Sequence, residues 1–157
     1  MYRTTILSPV GPLLLASDGT AITGLWLEGQ KYFAAGLDTD AEENPALPVF
    51  QKASLWLEAY FAQRDLPPLP PLAPAGSPFR LSVWERLQAI PYGQTRTYGE
   101  LSAELCSSPR AVGGAAGHNP ISILIPCHRV LGTGGSLTGY AGGLNKKKLL
   151  LKLEGVL

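Results

Sequence analysis

Thr97-Tyr98-Gly99-Glu100-Leu101-Ser102-Ala103-Glu104-Leu105 and, just after it, Ser108-Pro109-Arg110-Ala111-Val112-Gly113-Gly114-Ala115-Ala116-Gly117 are two helix starts set close together. Thr97 with Glu100 three residues on has the form of a capping box, in which the threonine oxygen accepts the N–H of the third helical residue. A short helix is expected from there to about Leu105. Ser108-Pro109 gives the same signal in another form: a capping serine, then proline at the first helical position, where a missing N–H costs nothing. A second helix is expected to about Gly117. Two short helices joined by a tight turn match helix-turn-helix spacing, although many helical hairpins share it. The second helix is unusually thin, because Ala111, Gly113, Gly114, Ala115, Ala116 and Gly117 are all small. Glycine in a helix costs about 1 kcal/mol against alanine, so the small residues imply close approach by another helix or by a nucleic-acid backbone. Arg110 lies in the first turn, where the helix dipole does not favour a cation. Reach toward a ligand explains it better than helix stability.

Downstream, the apolar run Ile121-Ser122-Ile123-Leu124-Ile125 leads into Pro126-Cys127-His128-Arg129-Val130. It reads as a buried strand that ends in two reactive side chains. The only other cysteine and histidine are Cys106 and His118, and His118, in a turn after the second helix, reads as a surface residue. A free thiol has a pKa near 8.5 and needs a base or a cation to become a nucleophile. Adjacent side chains in an extended backbone point apart, so His128 needs a bridging water or a local turn to serve Cys127. Such a base also needs a carboxylate to orient it. Glu100 is taken by its cap, Glu85 and Glu104 read as surface, and Glu154 is the best candidate. The glycine-rich segment 132–143 reads as a flexible loop carrying Tyr140, a lid or wall over Cys127, because it lacks the phosphate-binding glycine motifs. Asn145 to Glu154 is expected to be a helix with lysines on one side and Leu149, Leu150 and Leu153 on the other.

Upstream, Thr4–Ser8, Leu13–Ser17 and Ala21–Leu27 read as strands, with a hairpin signal at Asp18-Gly19. Residues 28–47 are acidic and read as loop. From Pro48 the apolar spacing becomes helical through Val49, Phe50, Ala53, Trp56, Leu57, Tyr60 and Phe61. This unit, residues 1–65, shows no catalytic group and is assigned a structural role. Residues 66–78 hold six prolines. They are expected to form a stiff, extended connector that marks a domain boundary. Residues 79–157 then form a second domain, entered by a helix capped at Ser77-Pro78 and ended by Pro91-Tyr92-Gly93.

Composition narrows the class. A chain of 157 residues suits one domain or two small ones, and no apolar run is long enough to span a membrane. The N-terminus lacks a signal-peptide core, and two distant cysteines make no disulfide framework, so a cytoplasmic protein is expected. The spacings of Cys and His exclude the usual structural zinc motifs. The net charge of +1 hides an asymmetry: residues 1–78 carry four Lys/Arg and eight Asp/Glu, residues 79–157 nine and four. The basic half either meets a polyanion or merely solvates a helix around Lys146–Lys148.

Taken together, Pro126-Cys127-His128-Arg129-Val130, Asn119-Pro120, Gly139-Tyr140-Ala141-Gly142-Gly143, Arg110-Ala111-Val112-Gly113-Gly114, Ile90-Pro91-Tyr92-Gly93 and Leu153-Glu154 are similar to the O6-alkylguanine-DNA alkyltransferase family. The resemblance is strong over about residues 79–155 and loose before them. It implies an α+β fold: a small N-terminal antiparallel sheet with a helix, and a mainly helical C-terminal domain containing a helix-turn-helix of winged-helix type. It also implies single-turnover transfer of the alkyl group from O6-alkylguanine in DNA to Cys127, with O4-alkylthymine as a second substrate it allows. His128 would act as base through a water, with Glu154 orienting it, and Asn119 would form the hinge to the active-site segment. Tyr98 would donate to the departing guanine. The backbones of Cys127, Val130 and Ala141 would read the base edge, with Tyr140, Pro126 and Ser122 shaping the pocket. Arg110 would fill the gap left by an extruded nucleotide, and Thr97, Ala111, Gly113 and Gly114 would face the minor groove. The implied partner is double-stranded alkylated DNA, bound by a monomer with no cofactor, no metal and no membrane. Two rivals stand beside it. A binding-only relative is disfavoured by the intact Cys127. A cysteine hydrolase leaves the thin helix and the basic half unexplained.

Overall fold

The computed structural model describes all of residues 1–157. Strands β1 (Tyr2–Ile6), β2 (Leu13–Ser17) and β3 (Ile22–Leu27) form an antiparallel meander, and the two-residue β4 (Glu42–Glu43) adds to β1 in parallel, giving the order β3-β2-β1-β4. The first strand therefore starts and stops two residues earlier than the sequence reading, and β4 interrupts what was expected to be loop. The register explains the first shift: pairing Ile6 with Leu13 leaves Leu7-Ser8-Pro9-Val10-Gly11-Pro12 for the turn. Helix α1 (Pro48–Phe61) covers one face of the sheet with Phe50, Ala53, Trp56, Leu57 and Tyr60.

The proline-rich segment is extended but not a free spacer. Leu72 runs alongside Ile22, with the Ile22 N–H donating to the Pro71 carbonyl (2.8 Å) and the Ala73 N–H to the Ile22 carbonyl (2.8 Å). Prolines, which lack a donor, thus lie along the outer edge of β3, where strand proline is tolerated. Helix α2 (Pro78–Gln88) starts at the Ser77 cap; β5 (Arg96–Thr97), α3 (Tyr98–Glu104) and α4 (Pro109–Gly117) follow. Thr97 Oγ1 accepts the Glu100 N–H (3.1 Å) and Ser108 Oγ accepts the Ala111 N–H (3.1 Å), so both hydroxyl caps form, while the Glu100 carboxylate, expected on the cap, accepts from Arg96 Nε (2.9 Å). The buried Trp84 of α2 donates through its indole N–H to the Ala115 carbonyl (2.8 Å), fixing α4 from behind.

The expected strand at 121–125 is corrected. The segment is fully buried, but only Ile121 lies alongside Leu25 of β3; Ser122 then bridges to Ile125 and Ile123 takes φ 70°. The chain makes a tight turn there, held because the Asn119 carboxamide donates to the Ile125 carbonyl (2.9 Å) and accepts the Ile121 N–H (3.0 Å). Apolar runs of this length look alike whether they are strands or buried turns. A single 3-10 turn, Cys127–Arg129, leads into β6 (Val130–Leu131), which pairs in parallel with β5.

Helix α5 (Leu144–Leu153) closes the chain, and its faces differ from the reading. Lys147 is fully buried and Leu149 is 39% exposed. The inward positions are 147, 150, 151 and 154, one helical stripe. One continuous apolar core joins Leu15, Leu25 and Phe50 of the first half to Val83, Leu101, Ile125 and Leu150 of the second.

A candidate active site around Cys127

Cys127 opens the 3-10 turn and is 5% exposed. Burial pushes its thiol pKa up, against the pull of the Asn119 carboxamide and the Lys147 ammonium. His128, the next residue, is fully buried. Its Nε2 lies 2.6 Å from Glu154 Oε2. A carboxylate accepts only, so the proton sits on Nε2 and Nδ1 carries the free lone pair. Nδ1 is buried and has no hydrogen-bond partner among the protein atoms. Burial lowers the His128 pKa, with the Glu154 carboxylate opposing, and the ring stands neutral as a base.

Glu154 follows the last turn of α5, at the negative end of that helix dipole. Five hydrogen bonds hold it. Oε1 accepts from Arg129 Nε (2.8 Å) and the Gly93 N–H (3.1 Å); Oε2 accepts from His128 Nε2, Tyr60 Oη (2.6 Å) and Arg129 Nη2 (3.2 Å). Burial alone raises its pKa, but the donors from His128, Arg129 and Tyr60 outweigh it and bring it down to about 2. Gly93 is required at its place: φ is +78°, and the turn lays its N–H against the carboxylate.

Glu154 is legible in the sequence; three other buried polar residues of the site are not. Arg129 forks onto both carboxylate oxygens and sends Nη1 to the Ile90 carbonyl (2.7 Å), an arrangement that only a planar guanidinium makes. Tyr60 comes from the unit read as purely structural. Lys147 points its ammonium at the carbonyls of Val130, Thr138 and Gly139 and so ties the glycine-rich loop to the strand after the nucleophile. Burial lowers its pKa to about 8, with the thiolate form of Cys127 opposing. The adjacency of Arg129 to His128 was the one local signal available for any of the three.

A cleft of about 640 Å³ opens above Cys127. Tyr98, Gly113, Gly114, Tyr140 and Ala141 line it, together with the exposed Arg110. Tyr140 puts its hydroxyl in the interior without a hydrogen-bond partner. Tyr98 is held protonated: burial first, then the nearby thiolate charge, push its pKa up to about 12. The structure thus gathers Cys127, His128, Glu154, Asn119, Tyr98, Tyr140, Ala141, Arg110, Gly113 and Gly114 in or directly behind the cleft. It does not bring the others to the wall. Thr97 serves as the α3 cap, Ala111 faces outward, and Val130, Pro126 and Ser122 are buried behind the lining, with the Ser122 hydroxyl on Gln30 Oε1 (3.2 Å). His118 is corrected: it is half-buried, stacked on Tyr32 at 4.0 Å, and lines the cleft with that tyrosine.

Fold and site together define a class: a buried cysteine, followed directly by a carboxylate-held histidine, at the floor of a cleft walled by the second helix of a helix-turn-helix. Comparison with known proteins makes this specific. Residues 78–156 match the family model described as 6-O-methylguanine DNA methyltransferase, DNA binding domain, and residues 1–72 that described as 6-O-methylguanine DNA methyltransferase, ribonuclease-like domain. Methylated-DNA–protein-cysteine methyltransferase of Haemophilus influenzae is 45% identical over 157 residues (98% of this chain, 86% of that protein). Its namesake in Methanosarcina acetivorans is 46% identical over 158 residues (99% of each). Among solved structures, Mycobacterium tuberculosis OGT in complex with DNA superposes with a TM-score of 0.89 at 43% identity, covering 98% of this chain and 92% of that one. The chain belongs to the 6-O-methylguanine DNA methyltransferase family.

Proposed function

We propose that this protein repairs DNA by moving the alkyl group of O6-alkylguanine irreversibly onto Cys127. The observation that carries the reading is the pairing of one buried thiol with a neutral, Glu154-oriented His128 at the floor of a cleft beside α4. A water between Sγ and Nδ1 takes the thiol proton to the imidazole. The thiolate sulfur attacks the alkyl carbon, the carbon–O6 bond breaks, and its electron pair stays on the guanine. Tyr98, protonated at neutral pH, supplies a proton to that leaving group. The product is a thioether, which has no leaving group of its own, so each molecule acts once.

The target base is reached by extrusion, since O6 is stacked inside the duplex. We assign α4 to the minor groove, with Arg110 entering the stack. Its glycines support this: a Cβ on Gly114 or Gly117 would meet nothing within 4 Å, so packing inside the protein does not require them. Thr97 and Ala111 flank that surface, Asn119 sets the bend into the active turn, and Val130, Pro126, Ser122, Tyr140 and Ala141 shape the pocket. We read residues 1–65 as support, 66–78 as connector and 79–157 as the part that binds DNA and reacts. The partner is double-stranded alkylated DNA, met by a monomer, since one chain supplies every group in the cleft. Free thiols suit a reducing compartment, and we place the protein in the cytoplasm.

The test is stoichiometry. With excess duplex carrying O6-methylguanine, repair stops at one lesion per protein molecule, and Cys127→Ala repairs none. Continued turnover would instead make this a hydrolase, and tight binding without conversion a damage-flagging protein.

A further inference from the structure

The first unit, read from sequence as structural, reaches the reactive centre through one atom. The Tyr60 ring is fixed by apolar neighbours: stacked on Trp56 (5.2 Å, 12°), and edge-on to Phe61 (5.2 Å) and Tyr92 (6.0 Å). A phenylalanine would satisfy all three. Only the hydroxyl is left for another explanation, since burying it without a partner is costly. It donates to Glu154 Oε2 at 2.6 Å, the same oxygen and the same distance as His128 Nε2, and lies 3.5 Å from that nitrogen.

We propose that Tyr60 is a positioning residue of the alkyl-transfer site: its hydroxyl divides the charge of Glu154 Oε2 with His128 and sets how strongly the carboxylate pulls on the imidazole. The inference rests on the functional reading above. The charged and titratable groups around the pair are Glu154, His128 and Arg129 in direct contact, with Tyr92, Tyr140 and Lys147 beyond them. The phenol itself stays protonated, because burial and then the Glu154 charge raise its pKa, so it donates throughout the working range. Without it, Oε2 bears more charge, the imidazolium of His128 is better stabilised, and the base is lost to protonation at a higher pH. The acid limb of the transfer rate therefore moves upward.

The experiment is the pH profile of single-turnover methyl transfer from O6-methylguanine duplex in Tyr60→Phe, with thermal midpoints alongside. Trp56→Phe serves as control: it loosens the ring packing and leaves the hydroxyl in place. Tyr60→Phe is expected to slow transfer about tenfold near pH 6, the size of one hydrogen bond to a charged group, and to leave it close to wild type near pH 8, where His128 is neutral in both. Trp56→Phe is expected to lower the midpoint while its profile stays at the wild-type position. Placed on Glu154→Gln, Tyr60→Phe should add no further shift. A Tyr60→Phe profile that coincides with wild type, or that moves no more than that of Trp56→Phe, assigns the residue to packing and overturns the inference. If the wild-type protein transfers nothing, the functional reading fails first and takes this inference with it.

Discussion

Two clusters built from the same residue types lie in different parts of this molecule. On the surface, Arg96 holds Glu100 (2.9 Å) and Glu104 (2.6 Å), and Arg86 also reaches Glu104 (2.6 Å), lacing α2 to α3. In the interior, Arg129 holds Glu154 together with His128 and Tyr60. The distances are alike; the surroundings are not. Water and salt screen the first set, and exposed pairs of this kind contribute about 0–1 kcal/mol. The second has exchanged water for five protein donors, so losing one member strands another. Ion pairs of the same length are thus cheap to lose where water surrounds them and costly where the carboxylate is enclosed and shared with His128 and Tyr60.

The largest expected effect comes from removing the shared carboxylate. Glu154→Gln removes the charge that holds His128 and turns one of its two acceptor oxygens into a donor, and should slow methyl transfer by about a hundredfold or more, the usual worth of a positioned base; a rapid-quench assay checks it. A rate near wild type would reduce the interior cluster to the standing of the exterior one. Next, Arg129→Met should cost about 3 kcal/mol in denaturant unfolding, because the carboxylate stays buried without its fork.

Acid titration separates the clusters further. The Glu154 pKa is about 2 in the folded chain against 4.5 for the ordinary carboxyl. A carboxyl with a depressed folded pKa stabilises fully above the unfolded value and loses that contribution as pH falls toward the folded one. Between pH 5 and 2 the wild type should therefore lose about 3 kcal/mol that Glu154→Gln does not. The depressed pKa of His128 acts in the same direction, beginning below about pH 6.5. The smallest effect belongs to the surface: Glu104→Gln should leave the denaturant midpoint close to wild type, closer still in high salt, with transfer unaltered.

What could be read in the sequence follows from the range of each interaction. The caps at Ser77, Thr97 and Ser108 are local chemistry, and all three form. Cys127, His128 and Glu154 were found because adjacency and the scarcity of acids left few choices. Tyr60 was not, since its partner lies 94 positions away and its helix spacing marks it as core. Lys147 read as surface because a lysine in a basic helix normally is; three carbonyls from a glycine-rich loop and a strand reverse that. Ile121–Ile125 reads as a strand because apolar content is blind to the turn that Asn119 and β3 impose.

The chain has one enclosed thiol and one exposed, Cys127 and Cys106, and they are the sharpest form of the contrast between inside and outside. Peptide mass spectrometry after reaction with O6-methylguanine duplex decides between them. A single methyl is expected on the peptide that contains Cys127 and none on that of Cys106, with the modification lost in Cys127→Ser. A methyl on Cys106, or complete repair with both thiols unmodified, would contradict it.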